Sequence, residues 1–264
     1  MRRLNFPGVR LGGTSWVVNG GFADNMRALS GEVSDMMFVL FDNEYGSNIP
    51  SKAEIRELAA LRRELDMSCT VHFPDDICLS GCVKDDDAER IRCEDSCIRM
   101  MELFAPLEPF AYITHLDGDQ YGDAPCQDME LWLEKTLRSV LRVAAAAGDD
   151  RKKICAETLD YSIELAEPVI SECGISICLD IGHLVRYKRG VREHLSRFLP
   201  RTRTLHIHGV DGEGTDHLDM SYFDMELFDH IINELAKDGA ERVMTLEVFE
   251  EDYRRSIEAL KKRK

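Results

Sequence analysis

No apolar run in the chain approaches the ~20 residues that a membrane-spanning helix requires, so no membrane association is expected. There is no Pro/Ser-rich linker and no low-complexity tract, and hence nothing that marks a boundary between domains. Positive charge is in short supply. Against 49 Asp and Glu stand 33 Lys and Arg, a formal net charge of -16, which works against a nucleic-acid partner because phosphate backbones are bound mainly through Lys and Arg. The glycines at Gly12-Gly13 are too few and wrongly spaced for a dinucleotide-binding fingerprint. The start, Met1-Arg2-Arg3-Leu4-Asn5-Phe6-Pro7, has two positive charges but no long apolar core after them, so it does not read as a signal peptide and a cytoplasmic protein is expected. Nine cysteines are present without the spacing of a disulfide framework. Cys155 and Cys178 sit inside apolar strands, and reduced thiols are the better reading. Cys93-x-x-x-Cys97 and Cys78-x-x-x-Cys82 are read as packing thiols rather than metal ligands.

What the chain does have is regular alternation. Its 264 residues, 44% hydrophobic and 31% charged, suit one domain over 1–264, and roughly 250 residues is typical of a (β/α)8 barrel. Strand patterns are expected at Val9–Trp16, Met36–Phe41, Ser68–Phe73, Phe110–His115, Lys153–Thr158, Ile175–Asp180, Thr202–His208 and Arg242–Val248. Helical periodicity fills the gaps: Phe22–Leu29, a capping-box start at Ser51 with Glu54 leading a helix to Leu65, Asp85–Phe104, Asp128–Ala147, Ile163–Cys173, Val191–Leu199, Asp224–Lys237 and a final helix to Lys264. About eight strand–helix alternations predict an α/β fold, a single (β/α)8 TIM barrel, rather than an open sheet.

The strands end on residues that a hydrophobic core does not ask for. Thr70-Val71-His72 and Tyr112-Ile113-Thr114-His115 stop on His, Ile154-Cys155-Ala156-Glu157 and Met244-Thr245-Leu246-Glu247 on Glu, and Leu205-His206-Ile207-His208 on a His pair. The run Ile175 to Asp180 closes on Asp180-Ile181-Gly182-His183. In a barrel all these ends face one mouth. His72, His115, Glu157, Asp180, His183, His208 and Glu247 would meet there, joined by Asp216 and His217 from the loop after the seventh strand. So many acids and imidazoles need a shared cation, and the donor set suits divalent Zn, Mn, Fe or Co. Period-two alternation puts His206 on the face of His208, as a second partner of the ligands or a substrate contact. His194 and His230, on helical patterns, are read as surface or packing residues.

Glu157, Asp180-x-x-His183, His206-x-His208 and Glu247 resemble the xylose-isomerase-like barrel superfamily, which holds sugar isomerases and epimerases and the endonuclease IV group (AP endonuclease family 2). The resemblance covers essentially the whole chain. Its epimerase branch implies one metal on Glu157, Asp180, His208 and Glu247, with the two glutamates as acid and base. Its endonuclease branch implies a trinuclear cluster, with His72, His115, His183, Asp216 and His217 at the extra positions. Asp216 and His217 are adjacent here, whereas that pattern has one residue between them. Further strings, Arg10-Leu11-Gly12-Gly13-Thr14-Ser15, Val39-Leu40-Phe41, Ser47-Asn48-Ile49-Pro50-Ser51, Thr70-Val71-His72-Phe73-Pro74, Cys178-Leu179-Asp180-Ile181-Gly182-His183-Leu184, His206-Ile207-His208-Gly209-Val210 and Thr245-Leu246-Glu247-Val248-Phe249, resemble the cobamide-remodelling phosphodiesterases of the same superfamily.

That resemblance implies a metal-dependent phosphodiesterase that opens the nucleotide loop of vitamin B12-type corrinoids. It implies one to three divalent ions per chain, and catalytic Glu157, Glu247 and Asp180, with Glu247 or Asp180 as proton acceptor. His183, His206 and Trp16 would meet the substrate, and the loops Asp42–Tyr45 and Asp117–Tyr121 would shape its pocket. Three rivals stand beside it: a sugar or sugar-phosphate isomerase or epimerase, an abasic-site endonuclease, and a non-catalytic metal- or corrinoid-binding protein. The expected partner is a small molecule, a corrinoid or a sugar phosphate.

Overall fold

The computed structural model describes residues 3–80, 87–118 and 123–263. Eight strands carry the fold: β1 (Val9–Thr14), β2 (Asp35–Val39), β3 (Ser68–His72), β4 (Tyr112–Thr114), β5 (Ile154–Glu157), β6 (Ser176–Asp180), β7 (Thr202–Ile207) and β8 (Val243–Leu246). They are all parallel and lie in the order β1-β8-β7-β6-β5-β4-β3-β2, and β2 pairs again with β1, so the sheet closes. Around it run α1 (Phe22–Ser30), α2 (Lys52–Glu64), α3 (Asp87–Phe104), α4 (Met129–Ala147), α5 (Glu167–Cys173), α6 (Ile181–Arg186), α7 (Val191–Phe198), α8 (Met225–Asp238) and α9 (Glu250–Lys261). This is the expected (β/α)8 TIM barrel. A short strand, Asn5–Phe6, adds antiparallel to β1, and Asp42–Asn43 pairs with Gly46–Ser47 in a small hairpin after β2. Among the described residues no helix is long and apolar enough to cross a membrane.

Local chemistry sets the helix bounds. The Ser51–Glu54 box forms as expected: the Glu54 amide donates to Ser51 Oγ at 3.3 Å and the Ser51 amide donates to Glu54 Oε2 at 2.8 Å, satisfying two amides that a helix start leaves open. Asp128 and Asp224 cap α4 and α8 by the side chain alone, accepting from the amides of Leu131 and of Glu226 and Leu227. The helix α6 was not expected from the sequence. Asp180, the last residue of β6, is its cap, with Oδ1 accepting from the His183 amide at 2.8 Å. One carboxylate thus serves both as a cap and as a rim group.

Side chains alternate across each strand. The outward set, with Leu11, Phe38, Val71 and Leu179, packs against helix residues such as Phe104 and Trp132. The inward set forms a separate small layer of Met37, Ala111, Ile113, Cys155 and Cys178. Burial pushes the Cys155 thiol up to about 12. All eight described cysteines are free; Cys82 lies outside the described residues, as do Asp85, Asp119 and Tyr121. At the strand starts, Phe110 lies between the guanidinium groups of Arg10 and Arg203, 4.9 and 4.1 Å from its ring centre.

Candidate metal centre

The ligand-type residues gather where the strands end. His72, Glu157 and Asp180 are the last residues of β3, β5 and β6, and His115, His208 and Glu247 follow β4, β7 and β8 directly. Register sets their depth: His206 pairs with Asp180 across β7 and β6, and Glu157 pairs with Cys178 across β5 and β6.

Glu157 is the hub. Its Oε1 lies 2.8 Å from His206 Nδ1, and its Oε2 lies 3.1 Å from His72 Nε2 and 3.3 Å from His115 Nε2. His206 Nδ1 is also 3.1 Å from Glu247 Oε2 and 3.9 Å from Asp180 Oδ2. Asp180 Oδ1 lies 3.3 Å from His208 Nε2. Around these contacts, ligand atoms form groups with all members within 4.8 Å of one another: Glu157–Asp180–His206–Glu247, His72–Asp75–His115, His183–His208–His217, and Glu157–Cys178–His206.

Backbone carbonyls orient several of the rings. His72 Nδ1 meets Phe73 O at 2.7 Å, His183 Nδ1 meets Thr158 O at 3.0 Å, and His217 Nδ1 meets Glu247 O at 2.9 Å. Each Nδ1–H donated to a carbonyl leaves the Nε2 lone pair for the site, the usual arrangement of a metal-ligating imidazole. His217 adopts a left-handed backbone, φ 54, and its amide donates to His208 Nδ1 at 3.0 Å while its ring stacks on that of His208 at 4.2 Å. A non-glycine residue in this region is held there by its surroundings.

Three carboxylates are buried together: Glu157 is 1% exposed, Asp180 0% and Glu247 7%. Burial works against the charge on Glu157, but His206, His115 and His72 hold its carboxyl well below the ordinary range. Burial and the charge of Glu157 oppose ionisation of Glu247, yet His206 and His217 keep it far below as well. The imidazoles move the other way. Burial lowers His115 and His208, while the facing acids, Glu157 for His115 and Asp180 for His208, bring each up to about 9.

These residues fit divalent cations. Asp180 Oδ2, His206 Nε2 and His208 Nε2 are buried without a hydrogen-bond partner among the described residues, which is costly unless something else satisfies them. The donor set is imidazole and carboxylate, with the thiol of Cys178 at the edge of one group. Holding a cation requires these rings as neutral ligands.

The sequence pattern assigns His208 to the four-residue set and His206 to a supporting or substrate role. In the structure His206 stands among Glu157, Asp180 and Glu247, and His208 groups with His183 and His217. Asp216 joins none of these groups; its carboxylate pairs with Arg186. Trp16 is 43% exposed and lies in a cleft of about 330 Å³ with Ser15, Phe22, Phe41 and Asn48. His194 packs in α7, with Nδ1 2.8 Å from Gly190 O. Two residues escape a reading of the sequence. Asp75 lies 3.7 Å from His72 Nδ1 and 4.0 Å from His115 Nδ1; an acid just past a strand end is its only signal. Cys178 reads as one more strand thiol.

The family model for xylose isomerase-like TIM barrels matches residues 35–263. The chain belongs to that family. No curated protein matches it. Among solved structures it is similar to a D-tagatose 3-epimerase-like protein, at 18% identity with 96% of each chain covered and a TM-score of 0.78. It is also similar to a 3-keto-D-glucoside 4-epimerase from E. coli, at 15% identity, 96% of this chain, 99% of that one and a TM-score of 0.72. A third is endonuclease IV from Thermus thermophilus, at 16% identity, 97% and 100% coverage and a TM-score of 0.69. At such identities the likeness is one of fold.

Proposed function

We propose that this family member is a metal-dependent phosphodiesterase of small molecules, with the nucleotide loop of cobamides as substrate. The observation that carries the reading is the number of ligand groups. Glu157, Asp180, His206 and Glu247 suffice for one ion, yet His72 with His115 flanks them on one side and His183, His208 and His217 on the other. A site for one-ion chemistry has no use for five further imidazoles. The long strings that resemble cobamide-remodelling phosphodiesterases point the same way, and the acidic chain, at -16, favours a small molecule over an abasic-site DNA duplex.

Bound divalent cations supply Lewis acidity to a phosphoryl oxygen and to water. The chain's own residues do the rest. Glu157 faces both the central group and the His72–His115 pair, so it is the natural shared ligand. Glu247 or Asp180, both buried and both within reach of His206, would accept the proton that water loses on attack. The carbonyls of Phe73, Thr158 and Glu247 fix the rings of His72, His183 and His217, so that little reorganisation accompanies reaction. Trp16 and Ser47, at the end of the hairpin after β2, line one cleft and would offer surfaces for a large ligand. The free thiols agree with a reducing, cytoplasmic setting.

A second reading, a sugar or sugar-phosphate isomerase or epimerase, is favoured by a specific observation. The central four-residue group is complete by itself, and two of the similar structures are named as epimerases or epimerase-like. One experiment separates the two. The metal-loaded protein is incubated with a cobamide and with a ketose panel, and products are read by mass spectrometry. A cobinamide-type fragment and a riboside fragment whose masses sum to substrate plus water support the phosphodiesterase; a ketose isomer of unchanged mass moves the assignment to the epimerase branch.

A further inference from the structure

Of the adjacent pair Asp216 and His217, only the histidine faces the imidazoles. Asp216 Oδ2 instead takes Nη1 of Arg186, the last residue of α6. Arg186 and His183 leave α6 three positions apart, on neighbouring parts of one face. Tyr187 touches both, its ring centre 5.3 Å from Arg186 Cζ and 6.3 Å from the His183 ring centre. At the other end Asp216 is joined to His217, whose ring lies 5.9 Å from that of His183. Arg186 is therefore anchored from two sides at the rim of the His183–His208–His217 group.

That group differs from its neighbours in its members. The central group holds three carboxylates, and the His72–His115 group shares Glu157 and Asp75. The third group has only imidazoles as members; Asp180 lies 3.3 Å from His208 Nε2 and 3.4 Å from His183 Nδ1, and Glu247 3.9 Å from His217 Nδ1, while the adjacent Asp216 is committed to a guanidinium. Arg186 therefore stands as the positive side chain at the rim of this group. Arg186 has five N–H donors in a planar fork, uses Nη1 on Asp216, and remains 37% exposed. Such a fork matches two oxygens of a phosphoryl group, which a point charge does not.

We infer that the His183–His208–His217 group together with Arg186 is the anion-receiving end of the site, with Arg186, oriented by Asp216, as the residue that grips the two non-bridging phosphoryl oxygens. This rests on the phosphodiesterase reading for the identity of the anion.

The test measures binding of inorganic phosphate to the zinc-loaded protein by titration calorimetry, for wild type, R186M, R186K and D216N, with zinc content and thermal midpoint recorded for each. R186M is expected to weaken phosphate by about tenfold or more, the loss of a charge-assisted bidentate contact, with zinc content and midpoint near wild type. R186K, which keeps charge but not the fork, should recover only part of the loss, and D216N should weaken binding less than R186M. Phosphate affinity unchanged in R186M overturns the inference, and so does a loss that appears only in step with loss of zinc. Because phosphate binding needs no turnover, the two proposals fail separately. Arg186-dependent binding in a protein that cleaves no phosphodiester removes the reaction and keeps the anion end; cleavage by R186M at wild-type KM removes the anion end alone.

Discussion

Gly182→Ala offers a sharp probe, because a single methyl group is aimed at one ligand. A Cβ built on Gly182 falls 2.1 Å from His208 Cε1, 2.2 Å from Nε2 and 2.4 Å from Nδ1. Normal contact between carbon atoms is about 3.5 Å, so the ring must retreat by roughly 1 Å or more. It has nowhere to go: His208 is fully buried, stacked on His217 at 4.2 Å and edge-on to His183 at 5.5 Å. Overpacking of this kind costs about 1–3 kcal/mol, while replacing Gly by Ala within α6 returns up to ~1 kcal/mol of helix propensity. The net loss of about 0–3 kcal/mol corresponds to a fall of at most roughly ten degrees in Tm for a domain of this size. Metal retention should respond far more strongly, because ligand geometry tolerates only about 0.5 Å of error. The assay is metal content after exhaustive dialysis, by inductively coupled plasma mass spectrometry, paired with a thermal melt. The expected result is one ion fewer per chain than wild type with the remaining sites filled. Wild-type metal content would refute the argument that His208 ligates.

Further outcomes follow from the same geometry. Glu247→Gln should abolish turnover on a cobamide while leaving corrinoid binding largely intact, checked by product mass and by a binding isotherm; retained turnover contradicts its assigned role. Chelation should lower the melting temperature, since a single ion at 100 times its Kd stabilises by about 2.7 kcal/mol; an unchanged melt after verified metal removal argues against structural ligation. Asp35, fully buried within the barrel, accepts from Ser68 Oγ at 2.6 Å and Thr70 Oγ1 at 3.1 Å, and burial raises its carboxyl from 3.8 to about 6 against those bonds. Because the folded value is the higher one, the folded state binds the proton more tightly. The stability this gives is complete below about pH 4 and is lost as pH rises through 6, on the order of 3 kcal/mol in all. Asp35→Asn should flatten that decline in denaturant titrations between pH 4 and 7, and an unaltered slope would show that Asp35 is not its source.

Much of this was readable from the chain, for physical reasons. Buried parallel strands require apolar runs, so all eight announced themselves. A polar residue closing such a run has no packing reason to be there, which is why His72, Glu157, Asp180 and Glu247 stood out. Where reading failed, the missing quantity was three-dimensional. A period of two puts His206 and His208 on one face and cannot say which lies level with Asp180; the strand register decides it for His206. Asp216 and His217 are sequence neighbours of equal promise, and the left-handed turn at His217 sends one ring to the site and leaves the carboxylate to Arg186. The helix α6 is too short for its periodicity to be seen, and without it neither the closeness of Gly182 to His208 nor the position of Arg186 could be foreseen.

The most direct test of the central claim is the number of ions bound. Purified protein, loaded with a single divalent metal and dialysed, is analysed for metal per chain, with Glu157→Gln in parallel. More than one ion in the wild type, falling by at least one in the variant because Glu157 serves two groups, is the result this account predicts. One ion or none in the wild type contradicts it: one would leave the single-ion epimerase chemistry, and none would leave the converging acids and imidazoles without a common purpose.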